Sequence, residues 1–225
     1  MKFFIDFDGT ITKNDVVDMM LERFASDEWR AVEKEWVEGK IGSRECLSKQ
    51  TALVKVSQED LRRFLKTIEI DPYFTGFLKT AQSFSVPVSI VSDGFRFVID
   101  SVLQNSFQIF PDLLHHVPVF SNEIRWRNGK AEASFPDGVL CEHACANCKA
   151  RILRENNPDG DFVIFAGDGL SDRFAAKTAA LTFAKGKLLK FCQENQIEHI
   201  PYSSFKDIEN WILTIKGTAI KGTAI

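Results

Sequence analysis

The 225-residue chain predicts an α/β fold: a mostly parallel sheet clothed in helices, with a small helical unit inserted after the first strand. Three observations carry this. Short continuous apolar runs at 3–5, 86–91 and 161–166 suit strands buried on both faces. Each is followed by a Gly-containing polar turn and then by helical spacing, the alternation that produces parallel sheets. Residues 14–70 carry helical spacing only. The expected division is a core of 1–13 and 71–215, a helical insertion of 14–70, and a frayed tail of 216–225, in which Lys-Gly-Thr-Ala-Ile occurs twice.

The first strand, Phe3-Phe4-Ile5, runs into Asp6-Phe7-Asp8-Gly9-Thr10-Ile11-Thr12. In extended backbone, positions i and i+2 face the same way, so Asp6 and Asp8 should address one spot. Two carboxylates so close repel each other and gather a divalent cation. An isolated pair of this kind would be a solvated turn, so its weight depends on the rest of the chain. Gly9 allows the sharp turn.

In the insertion, Asn14 or Asp15 can cap a helix that faces inward with Val16, Met19, Met20 and Phe24. Asp27 opens a second with Trp29, Val32 or Glu33, and Trp36, ended by Gly39 and Gly42. Ser43 is expected to cap a third, with Cys46, Leu47, Leu53 and Val54 inward. Ser57 to Asp60 resembles a capping box ahead of Leu61, Phe64 and Leu65. The Trp and Met stripes read as bundle core.

Asp71-Pro72 predicts a helix start with Pro at the first helical position, running through Phe77, Leu78 and Ala81. The strand at 86–91 ends in Ser92-Asp93-Gly94, and a helix follows from about Phe95 to Leu103. Asn128-Gly129, between 123–127 and 130–135, signals a two-residue hairpin. Cys141 to Cys148 forms a compact loop into Lys149 and a short helix. The strand at 161–166 ends in Gly167-Asp168-Gly169-Leu170-Ser171-Asp172, then a helix through Phe174, Ala175 and Ala179, a short strand at 181–184, and closing helices at 188–194 and 205–213.

The composition is that of an ordinary globular protein, 44% hydrophobic and 26% charged, with a net charge of −3 that offers no footprint for nucleic acid. Apolar runs too short to span a bilayer, and an N-terminal apolar segment interrupted by Asp6 and Asp8, give no expectation of membrane insertion or export. Five cysteines are then expected as reduced thiols in a cytoplasm.

Ligands of open parallel sheets bind at the carboxyl ends of the strands, so Asp6 and Asp8, Ser92, and Asp168 with Asp172 should converge. Carboxylates crowded there suit Mg²⁺ and a phosphoryl group, with Ser92 and Lys149 for the phosphoryl oxygens. The segment Asp6 to Thr12, with Ser92, Lys149 and Gly167 to Asp172, resembles the four motifs of the haloacid dehalogenase-like phosphatases. They occur in family order over residues 3–184, and the first and last are the specific ones. The resemblance implies a Rossmann-like core and a small cap of the phosphoserine phosphatase type. It also implies roles: Asp6 as nucleophile forming an aspartyl-phosphate, Asp8 as general acid and base, Asp6, the Asp8 carbonyl and Asp168 around Mg²⁺, Asp172 behind them, and Ser92, Lys149 and Thr10 at the phosphoryl group.

Within that family, Cys141-Glu142-His143-Ala144-Cys145-Ala146-Asn147-Cys148 before Lys149 resembles two subtypes. One acts on the methionine-salvage ester 2-hydroxy-3-keto-5-methylthiopentenyl-1-phosphate, the other on phosphoethanolamine and phosphocholine. Asn14-Asp15 favours the first. The cysteine spacing offers Zn²⁺ a set of Cys141, His143, Cys145 and Cys148. Structural zinc sites usually draw ligand pairs from separate segments, so a packed thiol loop is the expectation and zinc the alternative. Asp93 would either cap the next helix, the preferred reading, or meet a cationic head group. By the family's motifs, Asp15 and Gln50 fall where phosphoserine phosphatases read the amino group and the carboxylate. Neutral Gln50 would leave a carboxylate unpaired unless Arg44 reached it, so phosphoserine is expected to be a poor substrate. The expected partner is a small phosphorylated metabolite. A non-catalytic relic of the fold, or a thiol or metal sensor, is the competing class, and the complete set of Asp6, Asp8, Lys149 and Asp168 argues against both.

Overall fold

In the computed structural model the described residues are 1–108, 111–127, 130–135, 141 and 143–222, with side chains considered to 217 in the last helix. Strand β1 (Lys2–Ile5) lies at the centre of a seven-stranded sheet. On one side it pairs with β2 (Val88–Phe95), which pairs with β3 (Val119–Arg127) and β3 with β4 (Lys130–Ser134). On the other side lie β5 (Val163–Gly167), β6 (Leu181–Ala184) and β7 (His199–Pro201). All pairs are parallel except β3 with β4. The α/β expectation holds. The strand order turns back on itself between β1 and its two neighbours, which opens a crevice beyond their carboxyl ends.

Period-two alternation sorts the side chains of β1. Phe3 and Ile5 join the larger apolar core with α5 (Phe74–Ser83), α6 (Arg96–Ser106) and α10 (Phe205–Gly222), whereas Phe4 joins the opposite layer with α7 (Lys149–Glu155), α8 (Arg173–Thr178) and α9 (Gly186–Glu194). Aromatic side chains dominate the larger core. The Phe74 ring lies 4.8 Å from Phe205 and about 6 Å from both Phe77 and Phe107. Buried Asp71 ties this packing down, accepting from the Tyr73 amide at 2.8 Å and from the Phe205 amide, at the start of α10, at 3.1 Å.

Residues 14–70 form α1 (Val16–Phe24), α2 (Trp29–Val37), α3 (Ser43–Ala52) and α4 (Gln58–Leu65). The chain leaves and returns through one antiparallel bridge, Thr12 opposite Ile70, with the Lys13 amide donating to the Glu69 carbonyl and the Asp71 amide to that of Ile11. Asp15 caps α1, accepting from the Asp18 amide, and Ser57 caps α4, accepting from that of Asp60.

Several local expectations are corrected. Ser43 is the first residue of α3 rather than its cap, because its hydroxyl accepts from the Trp36 indole at 3.1 Å. Pro72 sits in a turn ahead of α5, where Asp71 closes a side-chain turn onto the Tyr73 amide. Strand β2 does not end before Ser92 but bulges. Val91 pairs with Phe120 and Phe95 with Asn122, so three residues stand opposite one. The first half of β3 and all of β7 lacked a legible strand pattern. The hairpin joins β3 to β4 in the expected register, Arg127 opposite Lys130, while Asn128 and Gly129 lie outside the described residues. Lys216 to Gly222, read as frayed, continues α10, since extending an existing helix adds a hydrogen bond for each residue fixed. Among the described residues no helix is long and apolar enough to cross a membrane.

Replacing Phe74 with Ala should cost about 3–5 kcal/mol of unfolding free energy. Urea titration of a catalytically silent background checks this, and a loss under about 1 kcal/mol would mean that the aromatic cluster repacks freely.

Candidate active site

The loop after β1 is wound tightly around one carbonyl. Phe7 accepts from the amides of Thr10, Ile11 and Thr12 and from the Thr12 hydroxyl. Gly9 sits at φ +70°, and a Cβ there would lie 2.6 Å from an Asp168 oxygen, so both conformation and space require glycine. Gly94 is required for space alone, because a Cβ would come within 2.6 Å of Asp8 Oδ2.

At the crevice the buried Lys149 ammonium, on the first residue of α7, bridges Asp6 Oδ1 and Asp172 Oδ1, each at 2.6 Å. Asp172 is fully buried, and its other oxygen accepts from the amides of Asp168 and Gly169 at 3.0 Å. Thr10 brackets two acids, donating to Asp168 Oδ1 at 2.8 Å and lying 3.4 Å from Asp6 Oδ2. Asp6, Asp168 and Asp172 each bring a carboxylate oxygen within 4.8 Å of the others, a hard oxygen set of the kind that holds a divalent cation. Asp8 lines the same cavity but keeps other company: Oδ2 accepts from Ser92 at 3.1 Å and Oδ1 from the Val16 amide at 3.2 Å.

Burial dominates the electrostatics. It pushes the Asp6 carboxyl well above the usual range; Asp172 adds to this and Lys149 opposes it. Burial and then Asp15 lift Asp8 to about 8, and burial and then Asp172 lift Asp168 to about 6. Burial also works against the Lys149 charge, but Asp172, Asp6 and Asp93 outweigh it and hold the ammonium protonated. One lysine among these acids leaves surplus negative charge, which a cation or protons must neutralise.

The cavity, about 410 Å³, is walled by the core and the insertion together. Asp6, Asp8, Lys149 and Asp168 form its floor, and Asp15, Gln50 and Asp93 all line it. Side chains not expected there also line it, among them Asp18, Glu33, Trp36 and Lys187. The helical spacing reads Trp36 as bundle core. Glu33 and Trp36 shared the helical spacing of α2, which by itself does not say which face meets a cavity.

Several expected residues lie elsewhere. Thr10 and Ser92 are fully buried and hold carboxylates rather than face the cavity. Arg44 is away from it, its guanidinium 4.7 Å over the Phe135 ring beside the Ala144 turn. Asp93 does not cap α6, whose flanking residue Phe95 makes no side-chain cap. The bulge in β2 carries it to the cavity, with its carbonyl held by Asn122 at 2.7 Å and Oδ1 buried without a hydrogen-bond partner among the described residues. Gln50 donates to Glu33 at 2.9 Å. In the cysteine loop the three sulfurs of Cys141, Cys145 and Cys148 converge, but His143, the fourth member of the alternative zinc set, stacks on Phe174, with centroids 3.6 Å apart.

The folded-state carboxyls of Asp168 and Asp8 keep protons that an unfolded aspartate loses near 3.8. Their contribution is therefore full at acid pH and is lost as pH rises through their folded values. With divalent cations removed, the melting temperature should fall between pH 6 and pH 8. A rise across that window in a buffer-matched thermal scan would contradict the charge surplus.

The haloacid dehalogenase-like hydrolase family profile matches residues 3–177. Relatives named 2-hydroxy-3-keto-5-methylthiopentenyl-1-phosphate phosphatase include one from Bacillus cereus, 27% identical over 224 residues and covering 98% of this chain and 99% of the relative. Another, from Bacillus pumilus, is 29% identical and covers 91% and 87%. Among solved structures, one described as a phospho-aspartyl intermediate analogue of phosphoserine phosphatase superposes with a TM-score of 0.69 at 24% identity, over 93% of this chain and 97% of its own, and so shares the fold. With this match and this crevice, the chain belongs to the haloacid dehalogenase-like hydrolase family, as a phosphoric monoester hydrolase.

Proposed function

We propose that the chain hydrolyses a small, uncharged-tail phosphate monoester through an aspartyl-phosphate on Asp6, with Mg²⁺ as cofactor. The observation that carries this is the buried Asp6 carboxylate at the cavity floor, 2.6 Å from the Lys149 ammonium and grouped with Asp168 and Asp172.

An oxygen of Asp6 attacks phosphorus and the bond to the leaving oxygen breaks. Asp8, whose carboxyl is lifted to about 8 first by burial, holds a proton at neutral pH and donates it to that oxygen. Asp8, now ionised, then takes a proton from water as it attacks the phosphoryl group, releasing phosphate and restoring Asp6. Lys149 balances charge on the phosphoryl oxygens, and Ser92 holds Asp8 in place through its 3.1 Å bond. Asp172 keeps Lys149 pointing at Asp6 while fixing the amides of Asp168 and Gly169. The carboxylate cluster of Asp6, Asp168 and Asp172 fits Mg²⁺; Asp6 and Asp168 would hold it, with the Asp8 carbonyl as the further ligand that the family resemblance implies, and the ion would supply charge neutralisation at the phosphoryl group when bound.

For the substrate, the cavity beyond Lys149 carries Asp15, Asp18, Glu33 and Asp93 against Lys187, with Val17, Trp36 and Leu47 as apolar wall. A second carboxylate would meet acids without an arginine fork there, which disfavours phosphoserine. A neutral keto or enol chain with a methylthio end suits the apolar wall, and the relatives' name supports that reading. The unpartnered Asp93 oxygen and the neighbouring acids favour an amino-alcohol phosphate as the second reading. The substrate class points to a cytoplasmic enzyme.

Asp6→Asn should abolish turnover with the fold retained by circular dichroism, and a variant keeping about a tenth of the activity would refute the nucleophile. Chelation should silence the enzyme and Mg²⁺ restore it, with Zn²⁺ ineffective at the all-oxygen site. In kcat/KM at fixed Mg²⁺, the methionine-salvage ester should exceed phosphoserine by about a hundredfold or more, the scale of an unpaired buried charge. Phosphocholine or phosphoethanolamine ranking first, with the preference lost in Asp93→Ala, would replace the first reading by the second.

A further inference from the structure

The cysteine loop is not used by the chemistry above, yet it is built into the wall of the site. We propose that Cys141, Cys145 and Cys148 form a three-thiolate site for Zn²⁺, with an open fourth position, that clamps the loop carrying Ala146, Asn147 and Lys149.

Three observations support this. First, the three sulfurs lie within 4.8 Å of one another, drawn from one loop. Tetrahedral zinc with ordinary bonds to sulfur needs the sulfurs about 3.8 Å apart, so closure asks only for small rotations. All three thiols are free. Second, these are not core-filling cysteines. Cys148 is buried, but Cys141 and Cys145 are half-buried, and none of the three belongs to either apolar core. Third, the loop is shaped around sulfur. The Cys145 amide donates to Cys141 Sγ at 3.3 Å, and the Ala144 amide closes back on the Cys141 carbonyl at 2.9 Å. Ala144 takes φ +48°, a left-handed conformation that an L residue adopts at a cost and that a chelate would hold. The Cys145 amide is thus aimed at the Cys141 sulfur, where a thiolate would accept from it. Amide donors of this kind are the usual outer support of a bound thiolate.

Binding would displace the three thiol protons to solvent and leave one zinc position for water. His143 does not supply it, since its ring lies flat on Phe174. The consequence for the enzyme is positional. Cys148 directly precedes Lys149, and Asn147 donates to the Ser92 carbonyl at 2.9 Å. Ala144 also accepts from the Arg44 amide at 3.2 Å and packs so closely on Gly42 that a Cβ there would lie 2.5 Å away. The same loop thus touches the catalytic lysine and the start of α3 in the insertion. Thiolates for zinc and carboxylates for Mg²⁺ are chemically distinct, so the two metals would load separately.

The test is metal analysis of the whole protein, purified anaerobically from zinc-supplemented cells and passed over a chelating column. About one zinc per chain is expected, held in Cys192→Ala and in His143→Ala and absent from the triple variant Cys141→Ser, Cys145→Ser, Cys148→Ser. Should the triple variant fail to fold, titrating the wild type with a mercurial thiol reagent decides: zinc should appear in a chelating dye as about three thiols are blocked. Cobalt substitution should give sulfur-to-metal charge-transfer absorption. Less than about a tenth of an equivalent, even after zinc is added back, overturns the site. So does a disulfide found among the three, iron with acid-labile sulfide, or loss of zinc in His143→Ala. None of these readouts depends on phosphatase turnover, so failure here leaves the reading of Asp6 untouched, and the reverse.

Discussion

The Lys149 ammonium, buried between Asp6 and Asp172 at the cavity floor, is the interaction on which the active-site geometry depends. One cation faces Asp6, Asp172 and Asp168, with Asp8 and Asp93 near, so the cluster is short of positive charge by design of its sequence. A buried pair with this imbalance contributes little to stability and can cost it. What it provides is a floor that binds whatever supplies the missing charge, and that requires the carboxyl ends of β1, β2 and β5 and the start of α7 to meet in one place. The turn-back of strand order around β1 is what brings those ends together.

Close approach is the second requirement. Gly9 and Gly94 each leave room for a carboxylate oxygen that a methyl group would meet at 2.6 Å. Gly167 does the same for Asp172, at 2.4 Å from a notional Cβ. The acids are thus packed against backbone rather than displayed on a surface, which is why burial leads the causes that raise their carboxyls. Threonine hydroxyls and backbone amides then give each acid a fixed direction: Thr10 for Asp168, the Val16 amide for Asp8, and the turn amides for Asp172.

The chain enters and leaves the insertion at the bridge of Thr12 with Ile70, further contacts such as the Trp126 indole to the Val56 carbonyl hold it to the core, and it furnishes most of the side chains facing the outer cavity. Its acids and its tryptophan are held by contacts within the insertion, such as Gln50 to Glu33 and Trp36 to Ser43. The floor and the outer wall are therefore separate constructions. The first is decided mainly by strand ends and the second mainly by how four helices pack, with the Val16 amide on Asp8 and the core residues Asp93 and Lys187 linking them. The cysteine loop is where the two meet, through Ala144 against Gly42 on one side and Asn147 against Ser92 on the other.

The sequence alone determined the sheet's central strands, the four helices of the insertion, and the floor residues Asp6, Asp8, Lys149 and Asp168 with Asp172 behind them. Those rest on local rules: apolar runs make buried strands, capping residues start helices, and in a parallel sheet the residues just past strand ends share one crevice. Tertiary structure decided what local spacing does not encode. The β2 bulge took Asp93 from a helix cap to the cavity, because register is set by β3 and not by β2 itself. Packing of α2 and α3 turned Glu33 and Trp36 toward the site and left Arg44 on Phe135. A histidine two residues from a cysteine had the right spacing for a ligand, but the face of Phe174, 31 positions on, drew its ring away. A helical period places residues on one face, and only the neighbouring elements decide whether that face meets core, cavity or solvent.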